Sequence, residues 1–196
     1  MGLKDFFTKG QCNACGKNVI VHNLFKDLNR YNSWENEPPI CKDCYEKVHT
    51  AFQGFVGNFV TFQEFKVLYD YIARSEKIYY DGLFQTNHDF KYGKFAINRD
   101  GSLCKIGNFY VNTSDIVSYE LDFITYIDGA FENKVYGDVW MKNIVLKDAK
   151  YPLNQIKVKE KIKCDVSRSE NVLNYETPTE HLDFFAAFDG IRSLQQ

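Results

Sequence analysis

Two Cys-x-x-Cys motifs constrain the fold of this chain more than any other feature. They are Cys12/Cys15 and Cys41/Cys44, with 25 residues between them, and they contain four of the six cysteines. A Cys-x-x-Cys turn presents two sulfurs to one metal ion, and zinc takes four thiolates in a tetrahedron. The spacing and the number of cysteines therefore predict a structural zinc site with these four ligands.

The residues around each motif suit such a site. Gly16 and Lys17 follow the first pair, where a turn needs a permissive backbone and a thiolate cluster favours a nearby cation. The second pair precedes YEKVHTAF, which predicts a helix whose first N–H groups lie near the thiolates. A cysteine knuckle followed by a second pair at the start of a helix resembles a treble-clef zinc finger.

A redox centre and disulfides are the alternative interpretations of these cysteines. A thioredoxin-like centre needs a single pair within a βαβ pattern, which this sequence lacks. No signal-peptide core and no membrane-spanning apolar stretch is found, so we expect a cytoplasmic protein whose thiols stay reduced. Cys104 and Cys164 have no partner at such a spacing and are predicted to be small core residues. Zinc is the favoured interpretation, and four thiolates would leave no open position for catalysis.

The segment after the second motif predicts an amphipathic helix. Thr61 and Glu64 have the spacing of a capping box at its start. Apolar side chains then recur at helical spacing and share one face. These residues are Phe62, Phe65, Tyr69 and Ile72.

From about residue 84 the pattern changes to short strands closed by a helix. Alternating apolar residues flank Asp100-Gly101, which predicts a β-hairpin. The final segment begins with Thr177, Pro178 and Glu180, which predicts a helix with Thr177 as its N-cap. Three further segments have strand character, namely DIVSYELDFITY, VWMKNIVLKD and IKVKEKIKCDV.

The chain resembles a family of uncharacterised proteins that is common in Gram-positive bacteria and their phages. These proteins join an N-terminal four-cysteine zinc finger to a PH/GRAM-like β domain. The matching residues are Cys12, Cys15, Gly16, Lys17, Ile40, Cys41, Asp43 and Cys44, with FAINRDGSLCKIG, DIVSYEL, NIVLKD and the last helix in the β domain. The resemblance implies an α+β fold with a finger over 1–50, a helical connector over 51–83 and a bent β-sheet closed by a helix over 84–196.

A row of lysines is the strongest candidate for anion binding. Lys157, Lys159, Lys161 and Lys163 alternate in one predicted strand, so all four are expected on one side of it. Such a row is either a solvated face that protects a strand edge or an anion-binding stripe. The whole chain has a formal charge of −2, which offers no general attraction for nucleic acid.

No motif for phosphate binding, nucleophilic catalysis or a catalytic metal is found. The pairs His88/Asp89 and His181/Asp183 bring a histidine near an acid, but close neighbours on one strand or helix point in different directions. We therefore expect a protein that is not an enzyme. A cryptic enzyme using His88 or His181 is the weakest of the three functions considered.

The favoured function is a protein-binding adapter or regulator with a structural zinc site and an unidentified protein partner. A phage or mobile-element origin follows from the family resemblance alone. The alternative is a nucleic-acid-binding protein that uses the finger and the lysine strand. Residues 1–50 with zinc and four thiolates have a net charge of −1, which gives this alternative little electrostatic support.

Overall fold

In the computed structural model, the protein forms two compact units. Cys12 and all the finger residues lie in the first unit, which contains residues 1–74 and 148–154. The second unit contains residues 75–147 and 155–196. The structure describes residues 9–20, 24–25, 38–56, 60–128, 134–169 and 172–195. Most of the predicted finger between its two motifs, including residues 26–37, lies outside the described residues, and the three-part division of the chain stays a prediction.

The first unit combines short antiparallel strand pairs with helices. Strands β1 (Lys9–Gln11) and β2 (Asn18–Ile20) form one pair, and β3 (Leu24–Phe25) and β4 (Ile40–Cys41) form another. Helix α1 (Lys42–Ala51) follows β4 directly.

The core of the first unit is built from aromatic and aliphatic side chains. Phe52 bridges to Leu153 in an antiparallel contact, which joins residues 148–154 to the end of α1. The Gln53 N–H donates to the Pro152 carbonyl at 2.8 Å. The buried side chains of this core include Val48, Phe52, Phe55, Val60, Phe65 and Leu68.

Helix α2 (Phe62–Tyr80) confirms the predicted amphipathic helix and extends beyond its predicted apolar face. Its capping box is present, since the Thr61 N–H donates to Glu64 Oε2 at 2.8 Å and the Glu64 N–H donates to Thr61 Oγ1 at 3.2 Å. These two bonds satisfy N–H groups that a helix start leaves without intrahelical partners. Lys150 also pairs with Glu64, with Nζ and Oε1 3.0 Å apart.

The second unit begins with a four-stranded antiparallel sheet. Its strands are β5 (Thr86–Tyr92), β6 (Phe95–Asn98), β7 (Leu103–Ile106) and β8 (Phe109–Asn112), hydrogen-bonded in that order. The predicted hairpin at Asp100-Gly101 is confirmed between β6 and β7. Gly101 has φ +76°, a value that glycine adopts at little cost.

A second sheet contains the longest strands. Strand β9 (Ile116–Asp128) lies at one edge, β10 (Lys134–Leu146) in the centre and β11 (Ile156–Lys163) at the other edge. Strands β12 (Asp165–Ser169) and β13 (Val172–Glu176) form a separate antiparallel pair. The sequence predicted one strand over IKVKEKIKCDV, but the buried Cys164 interrupts it and β12 pairs with β13 instead.

Helix α3 (Glu180–Gln195) packs an aromatic seam against both sheets of the second unit. The rings of Phe185 and Phe188 lie 5.1 and 4.8 Å from the Phe95 ring, and both contact Tyr119 on β9. The helix begins at Glu180, three residues after the predicted N-cap Thr177.

The start of α3 differs from the prediction because Thr179 takes the role expected of Thr177. The N–H groups of Leu182 and Asp183 donate to the Thr179 carbonyl, at 2.8 and 3.4 Å. The predicted α+β class, with antiparallel sheets and a C-terminal helix, is confirmed. No helix in the described part of the chain has the length and apolarity needed to cross a membrane.

Two glycines in the second unit give opposite predictions for the same substitution. A Cβ at Gly137 in β10 would overlap the Phe123 ring, whereas a Cβ at Gly190 in α3 meets no atom within 4 Å. Gly137→Ala is expected to lower the free energy of unfolding by about 1–3 kcal/mol through overpacking. Gly190→Ala is expected to raise it by about 0.5–1 kcal/mol, since alanine favours a helix. Urea denaturation measures both, and equal effects would contradict this packing.

Candidate metal centre

The first cysteine pair lies on a tight knuckle between β1 and β2. The Cys12 N–H donates to the Lys17 carbonyl at 2.9 Å, and the Gly16 N–H donates to the Cys12 carbonyl at 2.8 Å. Gly16 has φ +73°, so the knuckle depends on a residue that tolerates the left-handed region. These bonds fold the segment back on itself and turn Cys12 and Cys15 toward the same point.

The second cysteine pair lies where β4 becomes α1. Cys41 is the N-cap of α1 and Cys44 lies in its first turn, so the helix begins three residues before the predicted segment YEKVHTAF. The backbone connects the two pairs directly, because the Cys41 N–H donates to Cys12 Sγ at 3.2 Å. Asn13 adds to this connection, since both its N–H and its Nδ2 donate to the Pro39 carbonyl at 3.0 Å.

The four sulfurs converge on one point. The Sγ atoms of Cys12, Cys15, Cys41 and Cys44 all lie within 4.8 Å of one another. Three of the separations are 3.4 Å for Cys41–Cys44 and 3.9 Å for both Cys12–Cys44 and Cys15–Cys41. A tetrahedral ion with metal–sulfur bonds of about 2.3 Å places its sulfurs about 3.8 Å apart. The cluster could therefore hold one metal ion without large movement of the chain.

The surroundings of the cluster shift the pKa values of its thiols in opposite directions. Burial raises the pKa of the Cys12 thiol, but N–H groups of Cys15, Cys41 and Ala14 outweigh burial and bring it down to about 7. Burial also raises the pKa of Cys41 and of Cys44, and it outweighs the hydrogen bonds that Cys44 makes to Cys41 and Tyr69 makes to Cys44, which lower them. Four adjacent thiolates repel one another, so a cation at the centre is what would hold all four ionised.

Tyr69 is a contact of the cluster that the sequence did not reveal. Its side chain on α2 forms a hydrogen bond with Cys44, and this bond lowers the pKa of that thiol against the effect of burial. The periodicity of the helix assigned Tyr69 to an apolar packing face. A tyrosine on such a face can pack its ring and still direct its hydroxyl to a polar group. The presence of a tyrosine among the apolar residues of this face was therefore the one sign in the sequence of a polar contact.

The predicted lysine stripe is divided by the structure. Two register shifts interrupt the pairing of β11 with β10, so the lysines do not form one continuous row. Lys157 contacts the Trp140 ring, with Nζ 5.2 Å from its centroid, and Lys159 lies 4.5 Å from the Tyr92 centroid. Lys161 has φ +56°, which departs from regular strand geometry.

Three of these lysines also lie near carboxylates. Lys157 pairs with the buried Asp138 at 2.7 Å, and this partner raises the pKa of the lysine. The Nζ atoms of Lys159 and Lys161 each lie 3.9 Å from an acidic oxygen, belonging to Glu180 and Asp128. Lys163 ends β11 and is exposed. Anion binding by this strand stays a prediction, and only Lys157 has a carboxylate at close distance within the described chain.

The two histidine–acid pairs lie in different environments. His88 and Asp89 are exposed on β5. His181 is buried and stacks on Phe123, with ring centroids 5.5 Å apart, and burial lowers its pKa. Asp183 on the same helix is exposed, and the buried His181 Nδ1 has no hydrogen-bond partner among the residues that the structure describes, so no histidine–acid hydrogen bond forms there at this nitrogen. Cys104 and Cys164 are both buried, as predicted.

Comparison with known proteins adds no relative. The chain matches no family model, no curated protein and no solved structure.

The cluster predicts which cysteines are needed for metal binding. Wild type is expected to bind one Co²⁺ with the visible absorption of a tetrahedral four-thiolate site. Cys44→Ser is expected to lose that spectrum, because serine replaces a thiolate by a poor ligand. Cys104→Ser, at a buried cysteine outside the cluster, is the matched control and should retain it. Equal spectra from the two variants would contradict the four-cysteine site.

Metal affinity is expected to rise with pH. The raised pKa values of Cys41 and Cys44 mean that both thiols carry protons near neutral pH without a metal, and each must lose its proton to become a ligand. Protons therefore compete with the metal more strongly as pH falls. Titrations in buffers of different ionisation enthalpy measure the protons released. An affinity independent of pH between 6 and 8, or no proton release, would contradict this interpretation.

Proposed function

We propose that Cys12, Cys15, Cys41 and Cys44 bind a structural Zn²⁺ in a treble-clef-type finger. The observation that carries the proposal is the convergence of four sulfurs within 4.8 Å of one another, from a glycine-containing knuckle and a helix start. Four thiolates are a ligand set that zinc favours, and they complete its tetrahedral shell. The ion would therefore stabilise the fold and leave no position for a substrate.

The zinc would supply stability that a small module lacks. A segment of about 50 residues buries too little apolar surface to fold securely alone. Structural zinc can contribute about 10–16 kcal/mol to the folding of such a module. Its second pair is also tied to a larger core, because α1 leads directly into Phe52 and its bridge to Leu153.

The protein as a whole is proposed to be a non-enzymatic, cytoplasmic adapter or regulator that binds another protein. The second unit is proposed to be PH/GRAM-like, and its antiparallel sheets followed by a C-terminal helix support this proposal. Support for protein binding comes from large apolar side chains that β9 and α3 leave exposed. The most exposed are Val117, Ile124, Ile127, Leu182 and Leu194.

The charge of the chain favours protein binding over nucleic-acid binding. Affinity for nucleic acid depends on cations that are free to neutralise phosphates. Lys157, Lys159 and Lys161 each have a carboxylate within 4.0 Å. The formal charge of the whole chain is −2. The proposal also includes an origin in a bacterial or phage family. If a phage encodes the chain, its target would be a protein of the host.

Affinity capture from a lysate of the native host tests the choice between the two functions. Tagged protein is used as bait with and without nuclease, and captured proteins are identified by mass spectrometry. A stoichiometric protein that survives nuclease is the expected result. Loss of all captured protein after nuclease would overturn protein binding and favour the nucleic-acid alternative. Metal analysis of the same preparation should find one zinc per chain.

A further inference from the structure

Strand β9 has an open edge along most of its length. It is the outermost strand of its sheet and pairs with β10 on one side only, within the described chain. Arg192 Nη1 donates to the carbonyls of Ile116 and Val117 at the start of β9, at 3.2 and 2.9 Å. Thr125 contacts Tyr175 toward its end. The stretch 118–124 between these contacts presents a row of backbone donors and acceptors about 23 Å long.

The two edges of this sheet are treated differently. The β11 edge has alternating lysines, two register shifts and a residue with positive φ at Lys161. Lysines and bulges are devices that prevent another strand from pairing with an edge. Strand β9 contains no lysine, proline or glycine, and its register with β10 is unbroken from Asp128 to Glu120. The β9 edge is therefore suited to accept a further strand.

A groove with a mixed lining runs beside this edge, and Ser118, Tyr119, Asp189 and Arg192 form its polar part. It lies between β9 and α3 and has a volume of about 380 Å³. Leu121, Leu182, Phe185 and Ala186 supply its apolar surface, and Leu182 is 52% exposed. A groove of this size accepts aliphatic side chains from a strand lying along the edge.

The two faces of β9 differ in chemistry. Phe123 faces α3, where it stacks on His181, and Leu121 lines the groove on the same face. Glu120 and Asp122 lie on the opposite face of the sheet. Asp122 is paired with Lys142, which lies opposite Glu120 in the register. Glu120 accepts a hydrogen bond from Asn143 Nδ2 at 2.8 Å, and no ion pair of Glu120 is found among the described residues.

This chemistry specifies the occupant of the edge. A strand added beside β9 would direct alternate side chains into the groove and the intervening ones toward Glu120. Apolar residues fit the first position and lysine or arginine the second, because opposite charges across adjacent strands attract. A second copy of β9 would instead bring Glu120 and Asp122 against the same acidic residues, which is destabilising.

We propose that the edge of β9 and the groove beside α3 bind an extended segment of a partner protein in which apolar and basic residues alternate. This inference rests on the proposed protein-binding function and names its binding surface and the chemistry of the partner. Main-chain hydrogen bonds to the edge supply affinity, and the groove and Glu120 supply specificity.

A designed peptide tests the proposal on the full zinc-loaded chain. The probe is a fluorescein-labelled, end-blocked eight-residue peptide that alternates lysine with leucine, measured by fluorescence anisotropy. One control peptide has glutamate in place of lysine. A second is N-methylated on the alternate amides that would face β9, which removes the donors needed for strand pairing. Both controls are expected to bind at least about fivefold more weakly than the probe.

Protein variants locate the binding surface. Glu120→Lys and Leu182→Ala change exposed side chains, so both should fold, and each is expected to weaken probe binding about fivefold. Glu160→Lys and Leu83→Ala make the same changes at exposed positions away from the groove and should bind as wild type does. Hydrogen exchange should show protection of amides within 118–124 when the probe is bound.

Several outcomes would overturn the proposal. These are no saturable binding up to about 1 mM probe, equal binding of the N-methylated peptide, or no difference between the groove variants and their controls. Protection of amides 118–124 that rises with protein concentration alone would assign the edge to a second copy.

Lysate capture with the groove variants separates this proposal from the broader function. A partner captured equally by wild type, Glu120→Lys and Leu182→Ala would leave protein binding intact and overturn the groove as its site. Capture of no protein by wild type would overturn the protein-binding function itself. Loss of the partner from the two groove variants, with retention by Glu160→Lys and Leu83→Ala, is the expected result.

Discussion

The convergence of four cysteine sulfurs is the constraint on which the first unit depends. Four thiols within 4.8 Å of one another cannot all ionise without a cation, because adjacent thiolates repel one another. Burial raises the pKa of Cys44, whereas backbone N–H groups lower the pKa of Cys12. The backbone has already prepared the site, since the Cys41 N–H contacts Cys12 Sγ. A metal would then complete an arrangement that hydrogen bonds between the two motifs hold in place.

The second unit depends on a different kind of interaction, the aromatic packing of α3. Phe185 and Phe188 contact Phe95 of one sheet and Tyr119 of the other, so one helix joins both sheets. This packing also places α3 beside the outer edge of the second sheet. The groove next to β9 is therefore a consequence of how the core is closed, and the proposed docking surface depends on the same contacts that give stability.

Local patterns of sequence predicted local structure well. The capping box of Thr61 and Glu64 and the hairpin at Asp100-Gly101 are confirmed, because both depend on residues within a few positions of each other. The start of α3 was misplaced because two threonines compete for the same role, and Thr179 rather than Thr177 accepts the first bonds. The lysine strand was predicted as regular, and bulges set by its pairing with β10 made it irregular.

The sequence by itself determined the four-cysteine cluster, the α+β class, the three helices and the longest strands, because motif spacing and hydrophobic periodicity act along the chain. Only the tertiary structure decided that Tyr69 contacts Cys44, that Asp138 pairs with Lys157, and that the edge of β9 stays open among the described residues. These features depend on which segments lie side by side. Residues far apart in sequence meet only when the core closes, and no local pattern records that meeting.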